Sequence, residues 1–396
     1  MHAKNACNFC THGMRIRLLI TVRKYQKTFE DNEMKIVTPN YYKDFKCIAD
    51  KCSDTCCAGW DVDVDEQSYE FYKKQTGEIG ERLENVMVPK EEGGCTFTLT
   101  ENMRCPFLDN ENLCDLYKAL GESALCETCD EFPRFKNEYG ATREIGVAPS
   151  CPVVAEMFMS LDEAKLVSET NDELVTTYND IDASFYFELI QLRKDIFKII
   201  FDKSLGTMSE RLEQIYKEVF EWEYEEDIEN IKDFDTVNNP EYSKYDIEYM
   251  LKPFEGYEVI NKDWFKRLEE YDAYKNASAD EREHLKEHMV NAESNNYAFE
   301  NIMFYYIYRF LLQAVYDDNT LDQVKKAVVA FIVCRKLCEA YLYVHKEISD
   351  ENIADIFHLY SRQFEHSYIN FEYVIEHMET VDLYGDAVLL GILNNM

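Results

Sequence analysis

The residues most able to do chemistry in this sequence are cysteines. Ten of the fourteen lie between Cys47 and Cys151, and they form short groups within that stretch. Two residues separate Cys126 from Cys129, a spacing that lets both sulfurs reach one ion or one corner of a cluster. A tetrahedral ion uses about four ligands, so ten cysteines exceed one simple zinc site and leave room for two centres. The stretch predicts a metal or iron–sulfur centre, and spacing alone does not choose between zinc and iron–sulfur.

The surrounding sequence indicates a cytoplasmic protein. Its apolar N-terminal run, residues 18–22, is shorter than a secretory core and is followed by Arg23 and Lys24. The most apolar later stretch, residues 299–315, carries charged and amide side chains and is shorter than a membrane span, so no membrane insertion is expected. In a reducing compartment, clustered cysteines are metal ligands or redox groups more often than disulfides.

The charge balance limits the classes of partner. A formal net charge of −35 argues against a nucleic-acid partner, because phosphate contacts require a basic face. The acidity is most simply a device for solubility, and it lends little weight to a partner that presents lysines. With 46% hydrophobic residues, the chain can bury a substantial core.

Composition divides the chain into three parts. Residues 1–33 hold six Lys or Arg against three Asp or Glu, and we expect them to be an extension outside the folded domain, including Cys7, Cys10 and His12. Residues 34–158 are rich in cysteines and turn signals and predict a loop-rich cysteine-cluster domain. Residues 159–396 have apolar residues at helical spacing and few glycines, which predicts an irregular all-α domain. The predicted fold class is mainly α.

Several elements can be placed within these parts. Alternation around Val62 and Val64 predicts a short strand, and Asp182 or Ser184 is a candidate cap for a helix. A second helix is expected from Ser209, and another around Trp264. Longer helices are expected over roughly 280–316, 321–346 and 351–379, with an acidic linker over residues 221–240.

A series of short motifs occurs in a fixed order along the chain. They are Cys52-Ser53-Asp54-Thr55-Cys56-Cys57-Ala58-Gly59-Trp60, Arg104-Cys105-Pro106-Phe107-Leu108, Leu113-Cys114, Leu120-Gly121-Glu122, Leu125-Cys126-Glu127-Thr128-Cys129, Phe132-Pro133-Arg134, Ser150-Cys151-Pro152, Phe299-Glu300-Asn301 through Tyr305 to Arg309, and Tyr360-Ser361-Arg362-Gln363-Phe364-Glu365-His366-Ser367. Together they resemble the flagellin lysine-N-methylase family, within the YkgJ-like cysteine-cluster proteins. The ordered match is more specific than any single cysteine pair.

The resemblance implies an enzyme, a protein-lysine N-methyltransferase. Its methyl donor would be S-adenosylmethionine, its acceptor lysine ε-amino groups of flagellin, and its cofactor a [4Fe-4S] cluster, with zinc as the alternative metal. By the same resemblance the candidate ligands are eight cysteines, with Cys47 a further possibility: Cys52, Cys56, Cys57, Cys105, Cys114, Cys126, Cys129 and Cys151. Cys95 lies outside the matching motifs and is the weakest candidate.

Two helical lines of polar residues are further candidates. Arg362, Glu365 and His366 share one helical face, and Asn301, Tyr305 and Arg309 follow one another at a spacing of four. Methyl transfer to lysine needs a neutral amine, so Glu365, His366 and Tyr305 are the candidate catalytic groups, and Arg362, Asn301 and Arg309 the candidate cofactor-binding groups. The simpler alternatives are a salt bridge in the first line and a braced helix junction in the second.

Other functions remain open at this stage. A non-enzymatic zinc- or iron-binding protein, which holds metal or docks a partner, would need the same cysteines. A thiol redox sensor would need exposed cysteines of low pKa. The sequence lacks a glycine-rich fingerprint of the G-x-G kind, which makes an ordinary doubly wound methyltransferase fold unlikely. Polar and radical methyl transfer are not distinguished.

Overall fold

The computed structural model describes residues 33–174, 181–224, 247–251, 257–378 and 385–396. The expected N-terminal extension, with Cys7, Cys10 and His12, lies outside the described residues, as does most of the acidic segment.

Within these ranges, seven strands form two small sheets. The strands are β1 (Glu33–Pro39), β2 (Val62–Val64), β3 (Met87–Pro89), β4 (Cys95–Phe97), β5 (Arg134–Tyr139), β6 (Thr142–Val147) and β7 (Leu166–Leu174). The larger sheet has the order β5-β6-β1-β7, in which β1 is parallel to β6 and antiparallel to β7. The smaller sheet is antiparallel, with the order β2-β4-β3. Val62 and Val64 are buried and Asp63 between them is exposed, which confirms the predicted strand.

Helices make up most of the described chain. They are α1 (Glu66–Tyr72), α2 (Gly77–Val86), α3 (Asp115–Leu120), α4 (Glu127–Glu131), α5 (Pro152–Ser160), α6 (Ala183–Phe201), α7 (Met208–Glu223), α8 (Glu248–Leu251), α9 (Asp263–Tyr274), α10 (Ala279–Asn295), α11 (Ala298–Phe310), α12 (Ala314–Asp317), α13 (Thr320–His345), α14 (Asp350–Glu365), α15 (Tyr368–Met378) and α16 (Asp386–Leu393). The mainly α fold class is confirmed.

Capping side chains set the helix boundaries. Asp182 accepts hydrogen bonds from the first backbone N–H groups of α6, which agrees with the prediction. Helix α7 starts earlier than Ser209, because Thr207 forms a capping box with Glu210. The helix expected over 280–316 is broken at Asn296, whose side chain accepts a hydrogen bond from the N–H of Ala298. A new helix, α11, begins at Ala298.

The final predicted helix is also two helices. Ser367 lies just before α15, and its hydroxyl accepts a hydrogen bond from the N–H of Asn370 in the first turn of that helix. One strand, β7, lies in the part expected to be all helical, because its backbone pairs with β1 along the edge of the larger sheet. The C-terminal part is thus mainly, but not wholly, helical.

Three hydrophobic cores hold the described part of the chain, and two of them contain cysteines. The larger core joins the four-stranded sheet to the helices from α5 onward, and α13 runs through it with Cys334 and Cys338 fully buried. Core packing is therefore what these two cysteines do in the fold. The smaller core belongs to the cysteine-rich part and packs beneath the three-stranded sheet. Within the described ranges, no helix is both long and apolar enough to span a membrane.

Candidate metal centre

Six cysteines line the smaller core, although they are spread over more than seventy positions of the sequence. Cys95, Cys105 and Cys126 are buried members of that core, and Cys57, Cys114 and Cys129 pack against it. Cys56 joins them from the rim, since its Sγ lies 4.0 Å from that of Cys57. The structure thus gathers six of the eight predicted ligands, and it adds Cys95, which the sequence motifs leave aside.

Backbone contacts fix where these cysteines stand. The N–H of Cys105 donates to the carbonyl of Cys57 at 2.7 Å, which ties the first cysteine motif to the second. Cys114 and Cys126 each stand at the residue before a helix, near the free backbone N–H groups of the first turn, although neither sulfur accepts a capping hydrogen bond. Burial raises the pKa of Cys114, and the N–H groups of Tyr117 and Leu116 oppose that rise. Such donors favour a thiolate, the form that binds metals.

The Cys126 and Cys129 side chains behave as one unit. Their mutual hydrogen bond lowers the pKa of Cys126 and, together with burial, raises the pKa of Cys129. One proton shared between two sulfurs is the arrangement that a metal ion would replace. The pair lies at the start of α4, and Asp63 of β2 accepts a weak hydrogen bond from the Cys126 thiol through its carbonyl.

The remaining predicted ligands form a second group. Cys151 caps α5 and belongs to the larger core, and its pKa is raised to about 12, mainly by burial and further by Cys52 and Cys47. Burial is the main reason for the raised pKa of Cys52, and the nearby Cys56 thiol raises it further. The eight-residue pool is therefore divided, with Cys52 between a group around Cys151 and the six-cysteine core.

The donor set suits a soft metal centre in its chemistry. All twelve cysteines of the described chain are free thiols, and thiolates favour zinc or iron–sulfur clusters over hard cations. Among the described residues, no three His, Cys, Asp or Glu side chains stand together in ligating positions. The cysteines are neighbours but their sulfurs do not converge, so ligation would require side-chain rotation around the shared core.

Arg362 holds the first cysteine motif from the helical part. It lies on α14, is almost fully buried, and donates to the Asp54 carboxylate and the Thr55 carbonyl at 2.8 Å each. Its second terminal nitrogen donates to the carbonyl of Ala58 at 2.7 Å, and its guanidinium lies 4.2 Å from the ring centroid of Trp60. One side chain thus fixes both ends of the turn that carries Cys56 and Cys57. We call Arg362 with its four partners the arginine clasp.

Asp54 is the acidic centre of this clasp. Besides Arg362, it accepts hydrogen bonds from His358 at 3.0 Å and from Asn261 at 2.9 Å. Burial by itself raises the pKa of Asp54, but the His358 hydrogen bond and the Arg362 charge outweigh it and bring the pKa to about 2. The other ring nitrogen of His358 faces the carbonyl of Pro149 at 3.2 Å, next to the Ser150-Cys151 motif.

His366 extends the contact by aromatic stacking. Its ring lies 5.0 Å from that of Trp60 in a stacked arrangement, and its Nε2 is 2.7 Å from the Ser150 hydroxyl. Burial lowers the pKa of His366 to about 3, and the nearby positive charge of Arg309 and Arg362 acts in the same direction. The imidazole is therefore neutral at pH 7.

Glu365 and Tyr305 belong to a separate buried network. The Glu365 carboxylate accepts hydrogen bonds from Tyr305 at 2.6 Å, from Tyr306 at 2.8 Å and from Arg309 at 2.5 Å. Burial raises the pKa of Tyr305 well above its usual value. Glu365 also lines a small aromatic cleft with Tyr306 and Phe310. Two candidate catalytic groups therefore meet, and one of the candidate cofactor-binding groups, Arg309, meets them.

Asn301 is placed apart from these groups. Its side chain accepts from the N–H of Ala164 at 3.0 Å and donates to the carbonyls of Phe158 and Leu161. It joins α11 to the end of α5, which is the bracing arrangement considered for this polar line. A cofactor-binding role for Asn301 stays a prediction.

The motif analysis did not identify Asp54 of the clasp, or the two further partners of Asp54, His358 and Asn261, as site residues. Asp54 lies inside the first cysteine motif, and His358 precedes Arg362 by one helical turn on the same face. That spacing was a usable signal for His358. Asn261 carries no comparable signal, because it reaches Asp54 only through the folding of a loop before α9.

Comparison with known proteins identifies the helical part. Residues 247–392 match the family described as the FliB lysine N-methylase C-terminal domain. That range contains Arg362, Glu365 and His366, and it excludes the cysteine-rich part. No solved structure matches the chain.

Individual relatives agree with this match. The chain is 27% identical over 142 residues to the flagellar biosynthetic protein FliU of Salmonella muenchen, which covers 35% of this chain and 84% of that protein. It is 28% identical over 142 residues to the lysine-N-methylases of Salmonella choleraesuis and Salmonella typhimurium, and the match covers 35% of each of the proteins compared. The chain therefore matches about a third of the length of these two lysine-N-methylases. The resemblance found in the sequence is confirmed for the helical part, residues 247–392.

Proposed function

We propose that this chain transfers a methyl group from S-adenosylmethionine to lysine ε-amino groups of flagellin. The premise is the match of residues 247–392 to the FliB lysine N-methylase C-terminal domain. The lysine-N-methylase names of two relatives support the reaction class. The flagellar name of a third supports flagellin as the acceptor.

The arginine clasp is the observation that carries this proposal. Arg362 lies within the matched methylase domain, and every partner it holds lies between Asp54 and Trp60, around Cys56 and Cys57. A buried arginine whose guanidinium donates several hydrogen bonds to one loop holds that loop in place relative to the helix that carries the arginine. The methylase domain and the cysteine centre are thus built as one unit, which supports a role for the cysteines in the methylase reaction.

The eight cysteines would hold the cofactor. Thiolates of this number fit a [4Fe-4S] cluster with ligands to spare, and zinc is the alternative. When bound, a cluster would supply one-electron chemistry or a Lewis-acidic iron site. Cys52 and Cys151 are the secondary set. The primary set is the six predicted ligands at the smaller core: Cys56, Cys57, Cys105, Cys114, Cys126 and Cys129.

Glu365 is the group that we propose to handle the proton of the acceptor lysine. Direct transfer needs an unprotonated amine, and a carboxylate at the wall of an aromatic, water-poor cleft is suited to receive that proton. Tyr305 and Arg309 orient the carboxylate through their hydrogen bonds. His366 is a weak base at a pKa of about 3, so stacking on Trp60 is its more suitable task.

The test is anaerobic purification of the full chain, followed by iron, sulfide and zinc analysis. The protein is then incubated with S-adenosylmethionine carrying a labelled methyl group and with flagellin, and the flagellin peptides are examined by mass spectrometry. We expect labelled methyl-lysine from the wild type, and its loss in Cys126→Ser and Glu365→Gln. Cys338→Ser is the matched control, because Cys338 lies in the larger core away from the cysteine centre.

Two results would contradict the proposal in different ways. Stoichiometric zinc without iron or sulfide would refute the cluster and leave the methylase intact. Flagellin that stays unmethylated by metal-replete protein would refute the reaction and favour the non-enzymatic metal-holding alternative, whose sign is metal transfer to a recipient protein.

A further inference from the structure

A polar cleft opens beside the cysteine core. Its volume is about 380 Å³, which is within the range of small-molecule sites. Strand β2, helix α4 and strand β5 form its walls, and these residues line it: Asp63, Val64, Asp65, Lys90, Gly93, Glu127, Thr128, Glu131, Arg134 and Lys136. Neither the proposed reaction nor the family comparison assigns it a role.

The cleft shares a wall with the cysteines. The backbone carbonyl of Asp63 accepts a hydrogen bond from the Thr128 hydroxyl at 2.7 Å and a weaker one from the Cys126 thiol at 3.7 Å. Thr128 lines the cleft, and Cys129 follows it in α4. A molecule in the cleft would therefore lie on the outer side of the helix whose inner side carries the cysteine pair.

Most charges in the cleft already pair with one another. Lys90 lies 3.3 Å from Asp63, and Lys136 lies 2.6 Å from Glu131. These four side chains close the sides of the cleft and have little attraction left for a ligand.

Three charges remain. Asp65 accepts the backbone N–H groups of Ser68 and Glu127, and the two opposite charges of Glu127 and Arg134 stay available to a ligand. Among the described residues, the Glu127 carboxylate has no hydrogen bond or ion pair, and its backbone N–H donates to the Asp65 carboxylate at 3.0 Å. Arg134 spends one donor on the carbonyl of Asp130 at 3.3 Å and lies over the Phe45 ring at 5.5 Å, which steadies the guanidinium without a carboxylate partner. The cleft thus offers one cationic fork and one carboxylate for a ligand that carries both signs.

We propose that this cleft binds the methyl donor by its amino-acid end, with Arg134 on the carboxylate and Glu127 on the ammonium. A guanidinium fork matches a carboxylate in a bidentate manner, and an ammonium group suits a single carboxylate. Asp65 and Thr128 present further acceptors on the same wall for the hydroxyl groups of the nucleoside. This inference rests on the proposed function, because it takes S-adenosylmethionine as the ligand.

The test measures binding and needs no turnover. Anaerobically purified full-length protein is titrated with S-adenosylmethionine and with S-adenosylhomocysteine by calorimetry. We expect Arg134→Gln and Glu127→Gln to weaken binding of both ligands by roughly tenfold or more, the loss typical of a charged hydrogen bond. Adenosine, which lacks the amino-acid end, should bind the wild type and both variants equally. Glu84→Gln, an exposed carboxylate on α2, is the matched control and should leave the affinity unchanged.

The outcomes separate this inference from the reaction. If flagellin is methylated but both variants bind the donor as tightly as the wild type, the polar cleft is not the donor site and the proposed function stands. If donor binding depends on Arg134 and Glu127 but the protein never methylates flagellin, the polar cleft is the donor site and flagellin is not the acceptor. If the wild type binds neither ligand detectably, both the donor site in the polar cleft and S-adenosylmethionine as the donor are refuted.

Discussion

Replacing Arg362 is the sharpest perturbation of the unit formed by the two parts of the chain. Arg362→Ala removes three hydrogen bonds to the first cysteine motif and leaves the half-buried Asp54 carboxylate without a cationic side chain beside it, with His358, Asn261 and the Thr55 N–H as its remaining partners. Removal of one partner from a buried ion pair costs about 3–5 kcal/mol. We expect a loss of unfolding free energy in that range, with a loss of bound metal, because the turn that carries Cys56 is released.

Arg362→Lys tests the geometry rather than the charge. An ammonium can keep the Asp54 contact, but it cannot also reach Thr55 and Ala58, and each lost hydrogen bond costs about 1 kcal/mol. We therefore expect an intermediate loss of about 2 kcal/mol. Urea denaturation at pH 7, with metal per chain measured on the same samples, gives both numbers.

The control for these variants is Arg104→Lys. Its guanidinium donates to the exposed side chain of Asn112, so a change below about 0.5 kcal/mol is expected. If Arg362→Lys matched the wild type in both unfolding free energy and metal content, the arginine clasp would have no role in fixing the cysteine motif. Loss of metal without loss of stability would still support a positioning role.

Three further predictions follow from buried titratable groups. The lowered pKa of Asp54, about 2, gives stability that is complete above about pH 4 and is lost toward pH 2, so Asp54→Asn should remove about 2 kcal/mol of that pH dependence in acid denaturation. The pKa of His366, about 3, makes the unfolded chain bind the proton first, so stability should fall by on the order of 4 kcal/mol between about pH 6.5 and 3, and His366→Gln should flatten that part of the curve. Burial lowers the pKa of Lys326 to about 8, whereas Asp386 and Asp322 raise the pKa of the equally buried Lys325, even though burial opposes them. At pH 8 an amine reagent in trace amounts should label Lys326 on the order of a hundredfold faster, and equal labelling of the two lysines by mass spectrometry would contradict this.

Local sequence signals predicted much of the fold. The alternation around Val62 and Val64 predicted a buried strand, because period two puts both side chains on one face. Asp182 predicted the start of α6, since a carboxylate can accept the free N–H groups of a first turn. The extra breaks at Asn296 and Ser367 were missed, because the apolar period continues through both.

Strand β7 was missed for a different reason. Its partner β1 lies more than 120 residues earlier, and the pairing satisfies backbone groups that neither segment could satisfy alone. Pattern within a window carries no information about such a partner.

By itself, the sequence determined the chemistry that is available. Residue types and their order indicated soft thiolate ligands, a helical C-terminal part, and polar lines on two helices, because these depend on composition and on spacing within a few turns.

Only the tertiary structure decided which of these groups meet. It put Cys95 with the cysteine core, placed Cys151 in a second group, joined Glu365 to Tyr305, and directed Arg362 to the cysteine motif some 300 residues away. The physical reason is that each meeting depends on burying a thiol, a carboxylate or a guanidinium against a particular partner, and desolvation makes that choice only once the chain is folded.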